Sequence, residues 1–129
     1  MSAAADLVAE AYALAKKSNH KKLRQLFADD ATWEPSKKGK WNACNDADQI
    51  VRTLLWRAGS ANRMRPIQTI ELGQYVVMRL RGRRLERIGA QGFWAPKLFQ
   101  VVEVKAGKIV RIRDFGTMEE ALAGTGHDA

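Results

Sequence analysis

Apolar side chains recur at Leu7, Val8, Ala11, Leu14 and Ala15. That three-to-four spacing gathers on one helical face, and the surrounding alanines favour helix, so residues 3–17 are expected to be helical. Ser18 and Asn19 interrupt the pattern and can cap a short second helix over 20–27, with Leu23, Leu26 and Phe27 turned inward. Asp29 and Asp30 would close that turn, and residues 31–34 read as a short strand stopped by Pro35. A lysine-rich polar loop interrupted by Trp41 follows. Asn45 or Asp46 can cap a third helix whose stripe is Ile50, Val51, Leu54 and Leu55, flanked by Trp56 and ended by Gly59.

After Gly59 the apolar period changes from helical to two. Strands are expected over 66–72, 74–81, 95–105 and 108–115. Gly73 separates the first two, the longer stretch 82–94 the next two, and Ala106-Gly107 is a tight hairpin signal between the last two. Thr117 can cap a final short helix over 118–123, ahead of a tail expected to be flexible from about residue 124. Helices segregated from a run of antiparallel strands predict an α+β fold, and no repeat or linker divides the chain, so residues 1–129 are expected to form one domain.

Strand alternation sorts the two sheet faces. One carries Val76, Met78 and Leu80, then Leu98, Gln100, Val102 and Val104, then Val110, Ile112 and Asp114. It is almost wholly aliphatic, so the helices should cover it. Gln100 and Asp114 break its apolar character, and a carboxylate there costs several kcal/mol unless it is paired or protonated. The opposite face carries Arg79, Arg81, Glu103, Arg111 and Arg113 among apolar residues, a mixture that suits either solvent or a homodimer interface.

Composition narrows the function classes. With 129 residues, 46% of them apolar, the chain can bury one core. No run approaches the about 18 consecutive apolar residues of a membrane span, and residues 1–6 lack a secretory signal pattern, so a cytoplasmic location is expected. Cys44 is the only thiol, which excludes an internal disulfide, and no paired His suggests that it is reactive. His20 and His127 stand apart from other ligating residues, and no metal or cofactor is expected. The net charge of +8 is spread along the chain without a nucleic-acid signature, so nucleic acid is not the expected partner.

Two stretches carry a family resemblance. Residues 26–34, Leu-Phe-Ala-Asp-Asp-Ala-Thr-Trp-Glu, resemble the end of the second helix and the first strand in the nuclear-transport-factor-2-like superfamily. Residues 107–115, Gly-Lys-Ile-Val-Arg-Ile-Arg-Asp-Phe, are similar to its closing hairpin, as in SnoaL-like cyclases and limonene-1,2-epoxide hydrolases, and residues 118–122 resemble the hydrolases' last helix. The resemblance implies a cystatin-like conical barrel, with N-terminal helices on a curved antiparallel sheet that encloses an apolar pocket, usually in a dimer.

Carried over residue by residue, the catalytic sets are incomplete. Asp114 matches the closing Asp of the epoxide hydrolases, but Met78-Arg79-Leu80-Arg81 lacks their second carboxylate, and Trp33 and Pro35 stand where Tyr and Asn are expected. That chemistry needs one acid to protonate the epoxide and one carboxylate to activate water. Against ketosteroid isomerases, the general base falls at Pro35, the oxyanion-hole Tyr falls near Ala11 beside Tyr12, and the protonated Asp falls at Gln100, whose amide can still donate.

The expected site therefore centres on Asp114 as acid-base group and Gln100 as the group orienting a ligand oxygen. Tyr12, Trp33, Met78, Leu80, Leu98, Val102 and Ile112 are expected to line a pocket for a small, mostly apolar organic ligand. Tyr75, Trp56 and Trp94 are further aromatics that could line it or fill the core. The competing expectation is a non-catalytic interaction module whose basic face binds an acidic protein or nucleic acid.

Overall fold

The computed structural model describes residues 3–34, 44–59, 63–82 and 98–126. Within them the chain runs α1 (Ala3–Lys16), α2 (His20–Arg24), β1 (Phe27–Glu34), α3 (Ala47–Ala58), β2 (Arg65–Leu72), β3 (Tyr75–Arg81), β4 (Leu98–Lys105), β5 (Lys108–Phe115) and α4 (Met118–Ala123).

Local chemistry accounts for most boundaries. Val8, Ala11, Tyr12 and Ala15 form the buried stripe of α1. Asn19 caps α2 by accepting from the Lys22 amide. Of the two candidates for the third cap, Asp46 takes the role, accepting from the Gln49 amide at 2.9 Å, while Gln49 Oε1 accepts from the Asn45 amide at 2.7 Å. The first bond satisfies an otherwise orphaned amide in the first turn of α3, and the second ties the residue before the cap back to the same turn. Ile50, Val51, Leu54 and Ala58 then face the core. Thr117 caps α4 through the Glu120 amide.

The second helix is shorter than expected and the first strand longer. Helix α2 stops at Arg24, and Phe27, expected on its inner face, begins an eight-residue strand that includes Asp29 and Asp30. The cause is tertiary: the Ile109 amide donates to Leu26 O at 2.8 Å and Phe27 pairs with Ile109, so β5 draws the segment into the sheet. Asp29 and Asp30 stay exposed where the register shifts between Phe27 and Thr32.

The sheet order is β1-β5-β4-β3-β2. The four strands from β2 to β5 form the expected antiparallel run, but β1 joins β5 in parallel, so the sheet is mixed rather than wholly antiparallel. The β4–β5 turn carries positive φ at Ala106 (51°) and Gly107 (75°), the combination that lets a two-residue hairpin follow the strand twist.

A bulge corrects the face assigned to one residue. Glu103 pairs with Arg111, yet Val104 pairs with Ile109, so the register slips and Ile109, not Val110, turns under the helices. On that inner face, Val76, Met78, Leu80, Val102, Ile109 and Ile112 pack against α1, α2 and α3 in the main core. Behind the sheet, a second cluster of Val77, Phe99 and Val101 lies under Ala121 of α4. After α4 a turn continues through Gly126, with Thr125 buried.

Candidate functional site

Asp114 lies opposite Gln100 in the β4–β5 register, and Gln100 lies opposite Met78 in the β3–β4 register. These three side chains thus form one row across the inner face. Trp33 stands on β1 opposite Ile112, two residues before Asp114, so its ring can lean along β5 onto the acid. Its backbone is held on the far side as well, by paired bonds with Cys44 at 2.9 and 3.0 Å. These pairings fix the Trp33 backbone on both edges.

The polar groups form one chain. Trp33 Nε1 and Gln100 Nε2 each donate to Asp114 Oδ1 at 3.0 Å. Tyr12 from α1 donates its hydroxyl to Gln100 Oε1 at 2.7 Å, which fixes which end of the amide faces the acid. Among the described residues, Oδ2 meets only the guanidinium of Arg57 from α3, at 3.7 Å. That ion pair is too long for a hydrogen bond. The Arg57 guanidinium also lies 5.1 Å over the Trp33 ring, within cation–π range.

Burial dominates the electrostatics. It raises Asp114 from an ordinary 3.8 to about 6, against the downward pull of the Gln100 bond, the Arg57 charge and the Trp33 bond. Tyr12 is pushed far above its usual range, first by burial and then by the Asp114 charge, so its phenol stays protonated and remains a donor. Cys44 is buried, its thiol pushed up by that burial and placed 3.5 Å from Thr53 Oγ1, which leaves it a poor nucleophile. An acid that titrates near neutrality, with one oxygen fixed by two neutral donors and the other left to a long ion pair, can exchange a proton with a group brought to Oδ2.

The structure brings Asp114, Gln100, Tyr12 and Trp33 into direct contact and stacks Met78, Leu80, Val102 and Ile112 beside them, all buried. Leu98 packs at the edge of the same core. Trp33 is fully buried, so the indole itself occupies the space above the acid. A cavity of about 580 Å3 opens elsewhere, between the start of α1 and the β2–β3 and β4–β5 turns, lined by Ala3, Ala4, Leu7, Glu71, Gly73, Val104 and Gly107. None of the expected pocket residues lines it. Trp56, offered as core or pocket, is 53% exposed, and Tyr75 joins the cluster behind the sheet. Trp94 lies outside the described residues, as do His127 and the lysine-rich loop around Trp41.

Arg57 was not singled out from the sequence, although a signal was there. It falls seven residues after Ile50 and three after Leu54, which places a cation on the apolar stripe of its own helix.

The outer face is less open than its arginines suggested. Helix α4 packs on it. Arg111 is paired with Glu34 at 3.1 Å, Arg113 donates to Gly124 O and lies 5.6 Å over the Phe115 ring, and Glu103 accepts from Gln74 and pairs with Lys105. Arg79 and Arg81 complete the expected set, with Arg79 Nε buried and unbonded. Among the described residues, no helix is long and apolar enough to cross a membrane, and no three His, Cys, Asp or Glu side chains converge as a metal site.

No family model matches the chain, and no curated protein matches it in sequence. Solved structures do share its fold. A protein of unknown function with a cystatin-like fold from Methylobium petroleophilum aligns at a TM-score of 0.70 and 14% identity, covering 98% of this chain and 91% of that one. A proposed polyketide cyclase from Sinorhizobium meliloti aligns at 0.60 and 20%, covering 84% and 93%. A hypothetical protein of ketosteroid isomerase-like fold from Catenulispora acidiphila, solved with trimethylamine, aligns at 0.57 and 16%, covering 93% and 92%. The chain has the NTF2-like, cystatin-like α+β fold. At these identities the likeness shows architecture, and function has to be argued from the site.

Proposed function

We propose that this protein binds a small, mostly apolar organic ligand against the helix-covered face of its sheet, with acid-base chemistry centred on Asp114. One observation carries the reading: Asp114 is buried, its Oδ1 is saturated by Trp33 and Gln100, and its Oδ2 is left with a 3.7 Å ion pair. A purely structural carboxylate is satisfied most cheaply by closing hydrogen bonds to both oxygens. Here one oxygen is immobilised and the other remains available to a donor.

Asp114 is then the group that takes or gives the proton, and its pKa of about 6 keeps both forms populated near neutrality. Gln100, locked by Tyr12, uses one amide hydrogen on Asp114 and has the second for a ligand oxygen. Met78, Leu80, Leu98, Val102 and Ile112 supply the apolar wall. Ligand entry requires the Trp33 ring to yield, and the strand ends nearest Asp114 are the side from which it would be approached. Isomerase or cyclase steps fit a single acid-base carboxylate, whereas epoxide hydrolysis calls for a second carboxylate that the strand Met78-Arg79-Leu80-Arg81 does not supply.

A screen of small apolar alcohols, ketones and epoxides by thermal shift, on wild-type protein and Asp114→Asn, tests this. A ligand that raises the melting temperature should do so with little dependence on salt. Unchanged affinity and unchanged turnover in Asp114→Asn would remove Asp114 from the site. We further infer a second copy of the chain as partner through the part of the outer face left by α4, around Arg79 and Glu103; a monomer by sedimentation at all concentrations would reject that interface. The rival reading, a basic docking face, draws less support because Arg111 and Arg113 are engaged within the chain. It predicts salt-sensitive retention of nucleic acid in a gel shift.

A further inference from the structure

The cavity of about 580 Å3 between the start of α1 and the β2–β3 and β4–β5 turns plays no part in the Asp114 reading. Gly107, which lines it, precedes Asp114 by seven residues, on the order of 20 Å along β5. Small residues leave the space open. Ala3 and Ala4 bring only methyl groups to the wall, and a Cβ built on Gly73 or Gly107 would meet nothing within 4 Å. Both glycines hold positive φ, at 63° and 75°, so a side chain there would be strained as well. The Val104 amide donates to Gln74 O at 2.9 Å, which ties the two turns together. The volume falls in the range of small-molecule sites.

Glu71 is the one charged residue of that lining. It is half-buried, and its Oε1 accepts from the Ala5 amide at 3.4 Å, longer than the usual N–H···O range. That bond gives Glu71 a structural task at the start of α1, but it occupies one oxygen only. Among the described residues, Oε2 has no hydrogen bond and no cation pairs with either oxygen. The lysines flanking the β4–β5 turn are engaged elsewhere: Lys105 pairs with Glu103 at 3.3 Å, and Lys108 donates to Gln25 O. A carboxylate offers only acceptors, so a ligand that completes it brings donors, and a cationic donor gains most. The net charge of +8 opposes a cation from a distance, but at physiological salt charges beyond about 8 Å are largely screened. The local carboxylate wins.

We propose that this cavity binds a small organic cation, a protonated primary amine on a compact apolar body, with Glu71 as its counter-ion. The ammonium donates to the unbonded oxygen of Glu71, and the apolar body lies against Leu7 and Val104. The site is separate from Asp114, so its failure would leave the acid-base reading untouched.

Isothermal titration of the full chain at pH 7 tests this with benzylamine, benzyl alcohol and benzoate, which share a ring and differ in charge. Wild-type protein should bind benzylamine roughly tenfold more tightly than benzyl alcohol, the size of one charge-assisted hydrogen bond, and benzoate most weakly. Attraction to the net charge alone would give the reverse order, so the wild-type ranking is decisive even if a variant folds poorly. E71Q keeps an acceptor for the Ala5 amide and should bring benzylamine to parity with benzyl alcohol, whose affinity stays unchanged. A3F places a ring at an exposed residue of the cavity wall and should remove most of the binding of both. Equal binding of the three probes by wild type, a preference for benzoate, or a benzylamine preference that persists in E71Q overturns the assignment of Glu71. Affinities untouched by A3F, or no binding of any probe to wild type, overturn the cavity as the site.

Discussion

Replacing Asp114 with asparagine should stabilise the protein, and by an amount that depends on pH. The folded state raises this carboxyl from 3.8 to about 6, with burial as the leading cause. Between those values the native protein binds more protons at this position than the unfolded chain, so stability falls as pH rises through the interval. The destabilisation is small near pH 4 and complete above about 6. The difference corresponds to about 3 kcal/mol at neutral pH, taking about 1.4 kcal/mol for each pH unit. Asparagine resembles the protonated acid: its carbonyl can still accept from Trp33 and Gln100, and it carries no charge to desolvate. The free-energy gain of Asp114→Asn over wild type should therefore rise from below about 1 kcal/mol at pH 4 to about 3 kcal/mol at pH 7.5. Urea titrations followed by tryptophan fluorescence at a series of pH values measure it, and subtracting wild type from variant cancels the other carboxylates. A gain that is flat with pH, or a variant less stable than wild type at pH 7.5, would refute the account of Asp114 as a carboxylate held at a cost. A side chain that weakens its own fold is the kind retained for what it does to a ligand.

Three further outcomes follow from the packing. Tyr12→Phe leaves Gln100 Oε1 buried without its donor and should cost about 1–3 kcal/mol in urea unfolding, with Gln100 losing its fixed orientation. Gly124→Ala places a methyl 2.7 Å from Phe115 Cζ and 3.2 Å from Ala121 O, so α4 or the Phe115 ring must shift; a loss of about 1–3 kcal/mol is expected, largely recovered when Phe115 is shortened to Leu in the same chain. Ala106→Asn puts a residue that tolerates positive φ into the hairpin position now held at 51° by alanine, and should gain about 0.5–1 kcal/mol by thermal denaturation.

Much of the fold was legible because local signals and tertiary demands agreed. The helical stripe of α1, the Asp46 and Thr117 caps, and the alternation along β3 and β4 each point to the element that forms. Agreement failed where a long-range pair outweighed a local preference. Leu26 and Phe27 continue the apolar pattern of the preceding helix, yet backbone bonds to β5 pull them into a strand. Val110 keeps perfect alternation on paper, but it is the unpaired residue of a bulge opposite the Glu103–Val104 step, and Ile109 turns inward in its place.

The candidate site divides in the same way. Asp114 and Gln100 could be found by alternation alone, since both interrupt an aliphatic face and a polar group in such a place needs a reason. That they touch depends on the register of the β4–β5 hairpin, and that Tyr12 sets the orientation of the amide between them depends on α1 packing against a strand 88 positions away. Arg57 needed the third dimension most. Spacing puts it on the apolar stripe of α3, but only the packing of α3 beside β1 brings its charge over Trp33 and within 3.7 Å of the acid.

What the sequence determined by itself was therefore the set of elements, the faces they bury and the acid that does not belong among them, because periodicity and capping act within a few residues. The tertiary structure decided the parallel addition of β1, the indole that fills the space above Asp114, and the cation that answers it. Those depend on contacts between distant segments, whose register no local pattern encodes.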